Sequence, residues 1–517
     1  MIRRLMFLLV LLPFLLPVSV IADASFDKLE LELNEKIALD LDAETRTALV
    51  TQVGKFDDRA SAKLLMECVA VLSDRIDSLQ KTLQKLEAEH EELNTNQDVG
   101  QDDFKSRTAV REKIMALDEA IVSHRLVMEQ IHKVAVGFKT EAARGVVELT
   151  ASSGRTWRQR GLAGQAAASY PTPSGRKAAL KALKDKEPRV VIRTLLGLKE
   201  RKDPETADGI IGTLKRGVWV VRIAAAEALA EIGSPQGIRP LIELLSKTVG
   251  RVQDDINTAL KKLTGQKFDP DYEEWKRWYD EHQEEIEGLA GKPLAKKRGR
   301  DQAEDDSTYY GIKTRSKRIV YVLDISGSME KPIGGGGAGA VTLRDGEKER
   351  PTGPKIEIAK KELKNAIRKL PEDAYFNIII FNHLVKRWER KMIKATQANK
   401  NKAYLYIRGL KANGSTFTYG ALKEAFTLAG MGATDPNYRS GVDTIFLLSD
   451  GAPTDQSFPL SKLMDIEKIL TAVKQWNNLS KVVIHAIAID VATQGSSFIR
   501  FMKQLAEENG GKYIERG

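Results

Sequence analysis

The feature that most constrains the fold is a 31-residue repeat in the middle of the chain. Three sets of positions recur at this interval: Pro173, Pro204 and Pro235; Leu183, Leu214 and Leu245; and Leu198, Leu229 and Leu260. An isolated helix pair cannot bury its own apolar face, so repeated pairs must stack on one another and leave an extended concave surface. We therefore predict an α-solenoid over residues 157–290, with a surface of the kind that commonly binds proteins.

The clearest unit of the repeat is an alanine-rich helix over 218–229, a turn at 233–235 and a second helix over 238–245. This unit resembles a short HEAT repeat, which has two helices per unit.

Beyond the repeats, Trp275 and Trp278 lie three residues apart and share one helical face. We expect these indoles to cap the last repeat, and the alternative is an aromatic platform for a ligand.

The segment before the repeats, residues 25–150, has the apolar spacing of long helices. Two seams with spacings of three, four and seven are formed by Leu72, Ile76, Leu79, Leu83, Leu86 and Leu93, and by Val110, Ile114, Leu117, Ile121, Met128 and Ile131. Heptad seams of this kind pack one helix against another. Residues 94–100 between them are polar and end in glycine, which favours a turn. We predict an antiparallel coiled-coil hairpin, and parallel self-association through the first seam is the alternative.

The N-terminus has the pattern of an export signal. Arg3 and Arg4 precede an apolar run over residues 5–22, which ends in Ala22-Asp23-Ala24. We predict a signal peptide over residues 1–24 and a periplasmic, cell-envelope or extracellular location. The alternative is an uncleaved membrane anchor, because the run approaches the ~20 residues of a spanning helix.

Positive charge is concentrated between the repeats and the C-terminal region. The chain has 81 Lys and Arg residues against 71 Asp and Glu, a formal charge of +10, and residues 292–318 alone contribute +5. An excess spread so widely over the rest of the chain does not indicate a specific nucleic-acid site. We predict a flexible basic linker over residues 291–317, and contact with an anionic polymer of the cell envelope is the alternative.

From residue 318 onward, short apolar runs alternate with helical segments. The runs expected to form strands are 319–323, 375–381, 444–448, 482–489 and 512–514, and helices are expected over 356–370 and 498–508. Continuous apolar strands that alternate with helices are typical of a parallel sheet covered on both faces. The C-terminal region, residues 318–517, is therefore predicted to be a doubly wound α/β domain with a mostly parallel sheet.

Oxygen-bearing side chains follow two of these strands and occupy one loop. The pattern D-x-S-x-S follows the first strand as Asp324, Ser326 and Ser328; a loop contains Asn413-Gly414-Ser415-Thr416; and Asp450 follows a later strand. Ligands of such a sheet bind at the carboxyl ends of its strands. Hydroxyl and carboxylate oxygens suit Mg²⁺ or another hard divalent cation.

These motifs resemble the von Willebrand factor type A (VWA) domain and its metal-ion-dependent adhesion site. The resemblance implies a domain that binds a protein partner, whose acidic side chain completes the coordination of Mg²⁺. The metal ligands that it implies are Asp324, Ser326, Ser328, Thr416 and Asp450. Two features depart from the family: a Gly-rich, charged insertion over residues 333–354, and Thr418, which is a rival to Thr416 as the ligand from the second loop.

The sequence favours a metal-dependent binding or scaffold protein over an enzyme. A metal-assisted phosphohydrolase, the first alternative, would place a second carboxylate where the chain has Ser326. None of the six histidines lies in or beside the motif loops, and no G-x-S-x-G nucleophile motif is present. The single cysteine, Cys68, excludes an intrachain disulfide and a zinc site built on a cysteine cluster. The second alternative is a structural spacer with a vestigial metal site.

Overall fold

A computed structural model describes most of the chain. The described residues are 26–39, 43–95, 101–248, 251–288, 307–314, 316–333, 353–429, 442–455, 462–477, 482–490 and 495–516. The predicted signal peptide, most of the predicted linker and most of the Gly-rich insertion lie outside these residues. No helix within them has both the length and the apolar character needed to cross a membrane.

The chain divides into two compact units, residues 1–178 and 179–517. The first unit is helical. Its helices are α1 (Phe26–Lys36), α2 (Ala43–Gly54), α3 (Arg59–Thr95), α4 (Gln101–Gly137), α5 (Glu141–Ser153) and α6 (Trp157–Ser169), and α7 (Pro173–Ala182) spans the boundary between the units.

The long helices α3 and α4 form the predicted antiparallel hairpin. They pack against each other, and Ile76 and Ile121, one from each seam, are buried. The carboxylate of Asp57, just before α3, accepts hydrogen bonds from the backbone N–H groups of Lys139 and Thr140, just after α4. The start of α3 therefore lies beside the end of α4, as an antiparallel pair requires.

The repeats of the second unit consist of stacked helices with a proline at the turns. The helices of this part of the unit are α8 (Pro188–Arg201), α9 (Ala207–Thr213), α10 (Trp219–Ile232), α11 (Ile238–Leu245), α12 (Arg251–Thr264) and α13 (Tyr272–Gly288). Helix α10 packs between α8 and α12. Pro204 and Pro235 each begin a short 3₁₀ turn, a position where the missing N–H of proline costs no hydrogen bond. The 31-residue period is therefore the period of the helix pair.

Helix α13 covers the end of the repeats through an aromatic cluster. The indole of Trp275 is fully buried, and its N–H donates a hydrogen bond of 2.7 Å to Asn257 of α12. The ring of Phe268 packs edge-on against Trp275 and Trp278. Trp275 therefore has a packing role at the end of the repeats.

The C-terminal region forms a mixed, mostly parallel sheet flanked by helices, as predicted. Its strands are β1 (Ser307–Tyr309), β2 (Ile312–Thr314), β3 (Arg318–Asp324), β4 (Tyr375–Phe381), β5 (Val385–Arg387), β6 (Ile393–Lys394), β7 (Thr444–Ser449), β8 (Val483–Ile489) and β9 (Tyr513–Arg516). Its helices are α14 (Lys355–Lys369), α15 (Gln397–Arg408), α16 (Thr418–Leu428), α17 (Ile466–Trp476) and α18 (Ser496–Glu508).

The order of the strands brings the predicted ligand loops together. The large sheet has the order β5-β4-β3-β7-β8-β9, with β6 also paired to β4. The strands β4, β3, β7, β8 and β9 are parallel, so their carboxyl ends share one edge. Leu323 of β3 lies in register with Leu448 of β7, so Asp324 and Asp450 leave adjacent strands at the same edge.

Part of the segment predicted as a linker is folded. Strands β1 and β2 pair as an antiparallel hairpin, and Tyr309, Tyr310 and Ile312 lie in the core of the C-terminal domain. The ring of Tyr309 packs edge-on against those of Tyr321 and Phe446 in the sheet. Burial of these apolar groups stabilises the hairpin despite the basic residues around it.

Candidate metal site

The first predicted loop is tightly organised by its own hydrogen bonds. Asp324 is the last residue of β3 and is fully buried. Its Oδ1 accepts a hydrogen bond of 2.7 Å from the backbone N–H of Ser326. The hydroxyl oxygens of Ser326 and Ser328 lie 3.1 Å apart, within hydrogen-bonding distance. Three of the predicted ligands therefore lie in one short turn.

The loop after β7 places a second carboxylate beside the first loop. Asp450 is fully buried, and its Oδ1 accepts a hydrogen bond of 2.7 Å from the hydroxyl of Ser328. The preceding residue, Ser449, donates its hydroxyl proton to Oδ2 of Asp324 over 2.5 Å. Each of the two loops thus donates one serine hydroxyl to the aspartate of the other loop.

The second predicted loop is held against the first by backbone hydrogen bonds. The N–H of Gly327 donates to the carbonyl of Gly414, and the N–H of Asn413 donates to the carbonyl of Ile325, both over 2.9 Å. Gly414 has a φ of +77°, and a Cβ there would clash with the imidazole of His383. Only glycine adopts this positive φ readily and has no Cβ to clash with the imidazole. His383 therefore lies beside a motif loop in space, which its place in the sequence did not indicate.

Thr416 and Ser328 both border a small space at Gly451. A Cβ added at Gly451 would lie 3.5 Å from Oγ1 of Thr416 and 3.9 Å from Oγ of Ser328. Thr454 fixes the backbone of Thr416 by two hydrogen bonds. The N–H of Thr416 donates to the hydroxyl of Thr454, and the N–H of Thr454 donates to the carbonyl of Thr416. The absence of a side chain at Gly451 leaves this space open.

The rival residue Thr418 has a different environment. It begins helix α16 and is almost fully buried, and its Oγ1 has no hydrogen-bond partner among the described residues. Its N–H donates to the carbonyl of Thr416. Of the two hydroxyls, only that of Thr416 lies within 4 Å of the Cβ position at Gly451, as the hydroxyl of Ser328 also does.

Two further charged residues at this edge were not predicted from the sequence. Lys355, the first residue of α14, has its amine 2.9 Å from Oδ2 of Asp450 and 2.8 Å from Oδ2 of Asp490. All three side chains are buried. Asp490 directly follows β8, just as Asp450 follows β7, so the rule that identified Asp450 also finds Asp490. No comparable signal exists for Lys355, because a lysine at the start of a helix is usually exposed.

Burial and like charge dominate the electrostatics of the loops. Burial raises the pKa of Asp324 to about 7, and the negative charge of Asp450 adds to the increase, whereas the hydrogen bonds from Ser449 and Ser326 lower it in part. Burial lowers the pKa of Lys355, but the hydrogen bonds to Asp490 and Asp450 and the negative charges of the two aspartates together outweigh burial, and the pKa is raised. A second positive charge near Asp324 would relieve the repulsion between the carboxylates.

The residues present fit a hard divalent cation. Within the described part of the chain, no group of three or more His, Cys, Asp and Glu side chains is placed to hold a metal. An ion at this edge would therefore need hydroxyl ligands as well as carboxylates. Carboxylate and hydroxyl oxygens converge here, on loops that are already ordered by hydrogen bonds. Mg²⁺ prefers such oxygens and keeps some of its water.

Two family models match the chain in the regions expected. Residues 348–514 match the model of the von Willebrand factor type A domain, and residues 176–261 match that of HEAT repeats. The first match begins after the D-x-S-x-S turn. Inter-alpha-trypsin inhibitor heavy chain H2 of Mus musculus is 27% identical over 199 residues, which are 38% of this chain and 17% of the relative. Heavy chain H4 of Homo sapiens is 28% identical over 145 residues, or 28% of this chain and 13% of the relative. The chain thus matches about a sixth or less of the length of these curated relatives.

Solved structures with local similarity include a von Willebrand factor type A protein from Catenulispora acidiphila, which is 16% identical over 40% of each chain with a TM-score of 0.27. The pilus adhesin SpaC from Lactobacillus rhamnosus GG, in its open conformation, is 16% identical over 38% of this chain and 27% of the adhesin, with a TM-score of 0.28. The family models together with the fold identify this chain as one that contains HEAT repeats followed by a von Willebrand factor type A domain.

Proposed function

We propose that this chain is a metal-dependent protein-binding protein of the cell envelope. Its VWA domain takes an acidic side chain of a protein partner through Mg²⁺ or another hard divalent cation. Asp324, Ser326, Ser328, Thr416 and Asp450 hold the ion. The repeats and the helical hairpin act as a scaffold, and the N-terminal sequence exports the chain.

One observation supports this proposal above the others. The hydroxyl of Ser328 connects the D-x-S-x-S turn to Asp450 over 2.7 Å, and the hydroxyl of Ser449 connects β7 back to Asp324. Loops distant in the sequence thus present hard oxygens to one another at the carboxyl ends of adjacent parallel strands, where open α/β sheets bind ligands.

The chemistry of the donor set favours an acidic partner. Mg²⁺ takes about six oxygen ligands, and five protein oxygens leave at least one position for water or a ligand. Three of the five predicted ligands are neutral hydroxyls, so an added carboxylate meets little repulsion from the ion's own ligands. A carboxylate from the partner is the hard anionic oxygen that this position would favour.

The test is capture of a partner from an envelope extract by the full chain. With Mg²⁺ present, the wild-type protein should retain a partner that it loses in EDTA, and Asp324→Ala should fail to retain it in either condition. Asp373→Ala is the matched control, because Asp373 lies on the surface in an ion pair with Lys317, before the amino end of β4. Equal capture by wild type and Asp324→Ala, with and without EDTA, would contradict the proposal.

The same preparations test the phosphohydrolase alternative. Both oxygens of Asp324 accept hydrogen bonds, from Ser326 and Ser449, and Ser326 stands where such a hydrolase would have a second carboxylate as general acid. We expect no Mg²⁺-dependent release of phosphate from a generic phosphomonoester. Turnover by the wild type that disappears in Asp324→Asn would favour the enzyme instead.

A further inference from the structure

A buried lysine is built into the loops that carry the proposed metal ligands. The amine of Lys355 lies between Oδ2 of Asp450 and Oδ2 of Asp490, at 2.9 and 2.8 Å. The side chain of Lys355 is 3% exposed, and those of the aspartates are 0% and 3% exposed. A lysine is almost never buried to this degree unless it is paired.

This arrangement is costly to the fold in two ways. Lys355 is the first residue of α14, and the positive end of a helix dipole disfavours a cation there. Asp490 has a φ of +56°, in the left-handed region, which aspartate and asparagine enter more readily than most residues but still at a cost relative to glycine. Strain of this kind persists where the surrounding structure enforces it, and it concentrates at functional sites.

Because of this amine, the two carboxylate oxygens of Asp450 have different partners. Oδ2 is occupied by Lys355, whereas Oδ1 points to the hydroxyl of Ser328 in the D-x-S-x-S turn. Only Oδ1 is therefore directed toward the proposed ligands. Asp324, Asp450 and Asp490 together with Lys355 have a formal charge of −2, one unit less negative than the three carboxylates alone.

We propose that Lys355 is a fixed internal counter-ion that sets the affinity of the VWA site for its divalent cation. By holding Asp450 and compensating one negative charge, it keeps binding of Mg²⁺ weak until a partner supplies a further carboxylate. Asp490 opposes this effect, because it shares the charge of Lys355. The inference rests on the proposed function, since it concerns the same ion.

A series of variants separates the charge of Lys355 from its role in packing. Lys355→Met makes the site one unit more negative, Asp490→Asn makes it one unit less negative, and the double variant restores the charge of the wild type. Asparagine is nearly isosteric with aspartate and tolerates positive φ, so it suits position 490. Lys360→Met is the matched control, because Lys360 lies on the same helix and pairs with Glu357, away from the loops.

The measurement is titration calorimetry of MgCl₂ into each metal-free full-length variant, with circular dichroism in EDTA to verify the fold. We expect Lys355→Met to bind Mg²⁺ about tenfold more tightly than wild type and Asp490→Asn about tenfold more weakly. The double variant and Lys360→Met should remain within about threefold of wild type. If the role of Lys355 were purely structural, its replacement would weaken Mg²⁺ binding instead of tightening it.

Lys355→Met leaves two buried carboxylates without their cation, and such a loss is strongly destabilising. If that variant does not fold, the comparison of Asp490→Asn with the double variant decides. Loss of Lys355 from the Asp490→Asn background must then tighten binding, and equal or weaker binding overturns the inference. If wild type takes up no Mg²⁺, the proposed metal-dependent function fails together with the inference. If wild type binds Mg²⁺ and all variants bind it equally, only the inference fails.

Discussion

Single side chains, and in one place the lack of one, shape the loops that carry the proposed metal ligands. Gly451 lacks the Cβ that would face Thr416 and Ser328, and Ser449 holds Asp324 by a hydrogen bond to Oδ2. Neither residue belongs to the predicted ligand set. Each controls the space or the orientation of a residue that does.

The first residue-scale prediction concerns the open space at Gly451. In Gly451→Ala the new methyl group would lie 3.5 Å from Thr416 Oγ1, an ordinary contact that the apo fold accepts. It occupies the space between the hydroxyls, so we expect Mg²⁺ affinity to fall about tenfold, a loss of about 1.4 kcal/mol. Titration calorimetry measures this loss. In the control Gly409→Ala, the new methyl group also lies at ordinary contact distances from its neighbours, and Mg²⁺ affinity should be unchanged. Unchanged affinity in Gly451→Ala would place the ion elsewhere.

The second residue-scale prediction concerns the orientation of Asp324. In Ser449→Ala the buried carboxylate loses a charge-assisted hydrogen bond, which is worth about 1.5–3 kcal/mol. We expect weaker Mg²⁺ binding by about tenfold, and a lower melting temperature in EDTA. Ser497→Ala, on the exposed start of α18, is the control. If both variants melt and bind Mg²⁺ as wild type does, Ser449 does not orient the carboxylate.

The sequence predicted part of this residue-level picture. Asp324 and Asp450 were found because each directly follows an apolar strand, and Asp490 satisfies the same rule after Ile489. Lys355 and His383 could not be found, since their positions depend on how α14 and the β4–β5 turn pack against loops far away in the sequence. The proximity of distant segments is tertiary information that local patterns do not contain.

At the scale of elements, ion pairs between repeats reinforce the apolar stack. Glu231 of α10 pairs with Lys202, which follows α8, and with Lys262 of α12. Its carboxylate thus connects three successive repeats. The interval of 31 residues between Glu231 and Lys262 is the period read from the sequence, because residues one period apart lie side by side in neighbouring units. The β1–β2 hairpin had no such signal, because each of its strands has only three residues and neither belongs to a repeated pattern.

The element-scale prediction is a pH dependence of this ion-pair network. Hydrogen bonds from Lys262, and further contacts with Lys202, lower the pKa of Glu231. A lowered acid pKa contributes stability above the ordinary value near 4.5, and that contribution is lost as the pH falls through the lowered pKa. Glu231→Gln should therefore destabilise the repeats at pH 7 by less than about 1 kcal/mol, because the network is partly exposed. In urea unfolding followed by circular dichroism, the difference should shrink as the pH falls below about 4.5 and through the lowered pKa. Glu285→Gln, on an exposed position of α13, should show no difference across this pH range.

At the scale of the whole chain, the sequence predicted a helical N-terminal region and a C-terminal α/β domain, and the structure confirms both. The reason is that helical repeats, heptad seams and buried parallel strands each have a period that the chain displays over many residues. The edges of the regions are less regular. Residues 307–314 belong to the core of the VWA domain although they lie within the stretch of the chain that has an excess of positive charge.

The whole-molecule prediction is that Mg²⁺ stabilises the full chain through the VWA domain alone. A ligand that binds only the folded state adds about 2.7 kcal/mol when its concentration is about 100 times its dissociation constant. Scanning calorimetry of the full chain should therefore show a transition that rises with MgCl₂ in wild type and is unresponsive in Asp324→Ala. NaCl at matched ionic strength is the control, because the formal charge of +10 makes the whole surface sensitive to salt. An equal rise with both salts, or in both proteins, would assign the effect to charge screening and leave the Asp324 loops without a specific cation.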